Sequence, residues 1–117
     1  MGDFRKFRVW QDSLALTKNV YLLTNQSSFF SDFGLKDHIQ RASVSIAANI
    51  AEGADRETPR QSAYFFNVAK GSAAEVITLL IIAKDIKYVD DSRFKELENE
   101  AEKIRASRSN LIKAYKH

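Results

Sequence analysis

The sequence predicts an all-α fold: an antiparallel, up-down-up-down bundle of four helices. Three observations carry that expectation. Apolar residues recur at spacings of three and four along four separate stretches, the period of one helix face. The chain of 117 residues holds 4 Gly and 1 Pro, too few turn formers for a β-sandwich or barrel. The joints between the stretches are short, which folds consecutive helices back on one another. With 44% apolar residues the chain supplies one core, so residues 1–117 are read as a single domain.

The first helix is expected over about residues 7–25, where Phe7, Trp10, Leu14, Thr17, Tyr21 and Thr24 share one side. Residues 26–34, rich in Ser and closed by Asp32, Phe33 and Gly34, read as a connection that tucks aromatic rings into the core. The second helix is expected over about 36–52, with Ile39, Ala42, Ile46 and Ile50 inward and Arg41, Ser45 and Glu52 outward, and Gly53 as its C-terminal stop. Thr58-Pro59-Arg60-Gln61 announces the third helix, about 59–86: Thr caps, Pro suits the first helical position, and Gln three residues after Thr completes a capping box. Asp90, Asp91 and Ser92 offer caps for the fourth, about 91–116, whose Phe94, Leu97, Ala101, Ile104, Leu111 and Tyr115 share a face.

Composition narrows function by exclusion. There is no Cys, hence no disulfide and no thiolate metal site. The first residues lack the apolar stretch of a signal peptide. The most apolar run, residues 76–83, is far short of the roughly 20 residues of a membrane span. A cytoplasmic protein without a membrane segment is expected. A net charge of +3 admits a polyanionic partner without requiring one.

The third helix carries two apolar stripes. One is Phe66, Ala69, Ala73, Val76, Leu80 and Ala83; the other, on roughly the opposite side, is Tyr64, Val68, Gly71, Leu79, Ile82 and Ile86. One core covers one stripe, so the second reads as a self-association interface, against the alternative of a central helix in an irregular monomer. Glu75 interrupts that stripe and Arg108 falls among apolar residues of the fourth helix. The two either pair with each other or reach out to water. Gly71 in mid-helix costs about 1 kcal/mol relative to Ala and marks close approach of another backbone.

No catalytic apparatus is legible. Neither His38 nor His117 has a Glu three residues before it, as a di-iron bundle needs, nor an Arg at the four-to-six-residue spacing of the helical HEPN ribonucleases. There is no phosphate-cradling Gly loop and no Cys nucleophile, and Ser43 and Ser45 lack a neighbouring His in sequence. No enzyme activity, metal or cofactor is expected. What remains is charge: Lys103, Arg105, Arg108, Lys113 and Lys116 follow the acidic first half of the fourth helix with no acid among them. That polarity complements a helix dipole, and it equally offers a surface for the phosphates of RNA or DNA, repeated by any assembly of subunits. Arg5, Lys6 and Arg8 are candidates to extend it.

Three segments carry a resemblance: Val9-Trp10-Gln11; residues 41–53, ending Asn49-Ile50-Ala51-Glu52-Gly53; and residues 65–75, containing Gly71-Ser72 and Glu75. Together they resemble the bacterial four-helix-bundle family of proteins encoded in intervening sequences of 23S ribosomal RNA genes. That family is similar in fold to the accessory variability determinant of diversity-generating retroelements, a basic bundle that assembles as a pentameric ring and works with a reverse transcriptase and its RNA. The resemblance implies a ring-like homo-oligomer, a pentamer; the further partner expected is RNA or DNA if the basic end is the working surface, or a partner protein if the second apolar stripe is. It supplies no established activity. Asn49, Ile50, Ala51, Glu52, Gly53, Gly71, Ser72 and Glu75 read as structural, Asn49 and Glu52 as helix-end or interhelical hydrogen-bonding groups.

Overall fold

The computed structural model describes residues 3–107. A short 3-10 turn, Phe4–Lys6, precedes five helices: α1 Arg8–Thr24, α2 Ser27–Ser31, α3 Phe33–Ala54, α4 Pro59–Asp85 and α5 Asp91–Arg105. Among the described residues there is no strand. Four long helices enclose one core: α1 packs on α3 and α5, and α4 packs on the same two from across the bundle. Leu16, Val20, Ile39, Ile46, Ile50, Val76, Leu80 and Leu97 are fully buried there, each removal from water stabilising by about 1.5–3 kcal/mol.

Side-chain bonds close the helix starts. Thr58 Oγ1 accepts from the Gln61 amide at 3.2 Å, ahead of Pro59 in the first turn, and Asp90 accepts from the Arg93 amide at 2.7 Å. Asp32 accepts from the Leu35 amide at 3.1 Å, so α3 begins three residues before the expected Lys36. α4 ends in a two-bond stop: the Tyr88 amide reaches the Ala83 carbonyl and the Lys87 amide reaches Lys84, with Lys87 left-handed at φ 70°. α5 gives way at Ala106 and Ser107 to a turn, in which the Ser107 hydroxyl donates back to the Lys103 carbonyl at 2.8 Å. The expected continuation over 108–116, with Leu111 and Tyr115, lies outside the described residues.

Three readings need correction. The buried face of α1 is Val9, Ser13, Leu16, Val20 and Leu23 with Thr24, while Leu14 and Tyr21 are 45% and 39% exposed. Two stripes of equal period run along this helix one step apart. The aliphatic one takes the core, and Ser13, buried on it, has its hydroxyl satisfied by the Val9 carbonyl at 2.8 Å. Gly53 is not a stop. It lies inside α3 with no positive φ, where an added Cβ would run into the Phe66 ring and come within 3.1 Å of the Ser62 carbonyl. Of the aromatics in residues 26–34, Phe29 is buried against Tyr88, but Phe30 and Phe33 are 49% and 70% exposed beneath the Lys36 ammonium.

α4 is long and apolar enough to cross a membrane by length and composition alone, with an 18-residue window of mean hydropathy 1.5. The uninterrupted run of residues 76–83 understates this, because apolar residues line both its sides. In the bundle the inner side packs on α3 and α5.

Candidate functional site

The inner stripe of α4 is buried as its spacing requires: Phe66, Ala69, Ala73, Val76, Leu80 and Ala83 are all core. Leu79 joins them at 5% exposure instead of lying on the outer side, since the inner arc is wide enough to take in positions 76, 79 and 80 together. The outer stripe is therefore Tyr64, Val68, Gly71, Ile82 and Ile86. Tyr64, Ile82 and Ile86 are 63%, 43% and 47% exposed, and Val68 is half-buried. Around the added Cβ of Gly71 there is nothing within 4 Å. Among the described residues no backbone of another element explains that glycine.

Glu75 finds a partner that the sequence did not suggest. Its Oε2 lies 2.8 Å from His38 Nε2 on α3, both side chains being about half exposed, while Arg108 is outside the described residues. The same seam holds the motif residues. The Asn49 amide donates to the Ser45 carbonyl at 2.8 Å and to Ser45 Oγ at 3.0 Å, and Ser45 Oγ is 2.9 Å from Ser72 Oγ. Ser45, expected to point outward, thus faces α4. Glu52 pairs with Arg56 at 3.2 Å, Ser62 Oγ donates to the Gly53 carbonyl at 2.5 Å, and Ile50 is fully buried. These bonds join or brace helices, and none leaves a nucleophile beside a general base. Among the described residues no three His, Cys, Asp or Glu come together as a metal site would require.

The second apolar surface is one that periodicity assigned to the core. Trp10, Leu14 and Thr17 of α1 face Val44, Ala47, Ala48 and Ala51 of α3 across a groove of about 380 Å³, with Phe4 stacked edge-on against Trp10 at 5.3 Å. The alanines let the two helices approach, and the Thr17 hydroxyl crosses to the Ser43 carbonyl at 3.1 Å. The sequence signal for this groove was the Ala-rich stretch 47–51 beside the Trp10 and Leu14 stripe.

The basic end is partly neutralised. Lys103 sits 3.8 Å from Asp12 of α1, and Arg105 pairs with Glu102 one turn earlier. Arg108, Lys113 and Lys116 lie outside the described residues. Toward the N-terminus Arg5 binds Asp3 and Arg8 binds Asp12, so four of the cations first read as a phosphate surface already have a carboxylate nearby. At the opposite end of the bundle the Tyr88 hydroxyl donates to Asp32 at 3.0 Å, and that bond raises the phenol pKa above its ordinary value.

Comparison with known proteins places the chain. Residues 5–110 match the family model for the 23S rRNA-intervening sequence protein. A crystal structure of a protein with unknown function, from the S23 ribosomal protein family of Bacteroides thetaiotaomicron, superposes with a TM-score of 0.80 at 22% identity. The match covers 90% of this chain and 98% of that one. At that identity the likeness is one of fold. No curated protein matches the chain.

Proposed function

We propose, from the premise that this chain belongs to the 23S rRNA-intervening sequence protein family, that it is a non-enzymatic, self-associating helical scaffold. One observation carries the reading. A 27-residue helix that already buries one side in the core exposes Tyr64, Ile82 and Ile86 on the other, with an uncrowded Gly71 between them. A surface of this kind, at about 40 Å of helix, fits protein–protein contact better than solvation.

The reading takes the four long helices as antiparallel neighbours, up-down-up-down. Residue pairs that ascend along α3 as they descend along α4 support it: His38 with Glu75, Ser45 with Ser72, Gly53 with Ser62. The assembled form is a ring of copies, five by the resemblance, in the cytoplasm. Sedimentation velocity at micromolar concentration is expected to give a species several times the 13.3 kDa of one chain; a single-chain species sinks the proposal.

Electrostatic binding of structured RNA or DNA by that assembly is a second reading, favoured by the loose 3.8 Å pairing of a 63% exposed Lys103. Lys103, Arg105, Arg108, Lys113 and Lys116 would carry it, multiplied around the ring. Affinity should then fall steeply with salt, and reversing Lys113 and Lys116 to Glu should abolish binding without dissociating the oligomer. Unchanged affinity across salt concentrations sinks the electrostatic reading, and no binding at low salt argues instead for a scaffold that holds a partner protein without nucleic acid.

A further inference from the structure

The unpartnered apolar surface of this chain comes in two pieces that share no helix. One is the groove between α1 and α3, walled by Trp10 and Leu14 against Val44, with Ala48 and Ala51 beneath. The other is the outer row of α4, whose most exposed apolar member is Tyr64 at 63%. α1 and α4 stand diagonally across the bundle, each packed on α3 and α5, so the two pieces look out in different directions. A two-fold contact pairs a patch with itself and covers one piece only. A head-to-tail contact covers both at once.

We propose that Tyr64, with Val68 one turn further along, seats in the α1–α3 groove of the next copy. This rests on the self-association reading and specifies its contact. Size permits it: the molecule's extents of 45 by 23 Å bound one side at roughly 1,000 Å², enough to hold the ~800 Å² per partner of a standard stable interface. Level permits it too. In a closed ring equivalent atoms of all copies lie at one height, so with bundles standing along the ring axis each groove meets what lies at its own level. The pairs Ser45–Ser72 and Ser62–Gly53 mark that level on α4. Residues 47–51 of α3, the groove floor, stand opposite the stretch of α4 between Ser62 and Ser72, which holds Tyr64 and Val68.

The chemistry matches. The groove is apolar and offers nothing for a charge, while Tyr64 brings a flat ring of large area at small entropic cost, its edge set against Phe65 at 5.1 Å. Glu75, the carboxylate on that side of α4, already has a hydrogen-bond partner in His38, so covering the row does not leave it without one.

The test is complementation. Val44 is 46% exposed and Tyr64 63%, so Val44→Glu and Tyr64→Glu change the two surfaces while sparing the core, and put the same charge on both. Each variant alone should sediment as a single chain with unchanged helical circular dichroism. Mixed in equal amounts at high concentration, they should form a pair of one each and stop. The Tyr64→Glu copy keeps an intact groove, the Val44→Glu copy keeps its Tyr64, and the two surfaces left over carry a carboxylate each and repel. Trp10, the chain's one tryptophan, lines the groove and supplies a second readout. Its emission should shift to the blue on mixing and to the red on diluting the wild type into single chains. A mixture that stays monomeric, or one variant that still assembles alone, overturns the proposed seat while leaving self-association standing. A wild type that is itself monomeric overturns both.

Discussion

The crossing of α3 and α4 at Gly53 yields a prediction whose sign opposes helix propensity. In an exposed helix interior Gly→Ala gains up to about 1 kcal/mol. At Gly53 the new methyl would overlap the ring of Phe66, which is 1% exposed and so cannot swing aside, and would press on the Ser62 carbonyl at 3.1 Å. That carbonyl caps no gap that could widen cheaply, because Ser62 Oγ also ties the helices together through the Gly53 carbonyl. Overpacking of a tight core costs about 1–3 kcal/mol; an overlap with a fixed ring belongs to the upper part of that range, about 2–3 kcal/mol, so after the propensity gain of about 1 kcal/mol Gly53→Ala should lose about 1–2 kcal/mol. For a domain of this size each kcal/mol moves Tm by roughly 4–8 °C. Urea unfolding followed by circular dichroism, at one fixed protein concentration so that association does not intrude, measures the loss. Phe66→Leu in the same chain should make room, so the double variant should be less destabilised than the two single losses combined. A Gly53→Ala protein as stable as the wild type, or strict additivity with Phe66→Leu, refutes the reasoning.

Other expectations follow from single contacts. Asp90→Ala removes the cap on the Arg93 amide and should cost about 1 kcal/mol, read as a lower urea midpoint; no change would mean that water replaces the cap fully. Lys87→Gly relieves a left-handed backbone position at φ 70° and should raise thermal stability by roughly 0.5–1 kcal/mol, whereas a loss would show that the Lys87 side chain matters more than its backbone. The bond from Tyr88 to Asp32 holds the phenol protonated above its ordinary pKa of about 10. Its stabilisation is complete below that value and is lost as pH rises through the raised one. Tyr88→Phe should therefore be less stable than wild type at pH 8, with the difference shrinking as the alkaline limb is approached. A constant difference across that limb contradicts the assigned bond.

Much of the fold was readable because it is local. Thr58-Pro59-Gln61 starts α4 where expected, and Asp90 caps α5. On α3 one apolar face dominates, and Ile39, Ala42, Ile46 and Ile50 are buried as their spacing implies. Where two patterns competed, the sequence was mute. α1 carries Trp10-Leu14-Thr17 and Val9-Leu16-Val20 at the same period, and nothing in the helix itself ranks them. Leu79 sits between the two stripes of α4, and only the width of the neighbouring surface assigns it to the core. The left-handed Lys87 was equally hidden, since that conformation usually announces itself with Gly or Asn.

The candidate surfaces divide in the same way. The outer stripe of α4 was visible as a periodicity, less Leu79. The groove and the pairing of His38 with Glu75, 37 residues apart, were not. The basic end was visible as composition, but the sequence could not show Asp12 arriving beside Lys103 from the other end of the chain.

By itself, then, the sequence determined the four long helices, though not the short α2 in the stretch read as a connection, most of their boundaries, the scarcity of turns and the existence of one apolar side too many. These depend on rotations and hydrogen bonds spanning three or four residues. Tertiary structure alone decided which stripe of α1 faces inward, that Gly53 is crowded while Gly71 is open, and that Trp10 walls a groove. Each of those depends on which atoms a distant helix brings within 4 Å, and local periodicity carries no record of that distance.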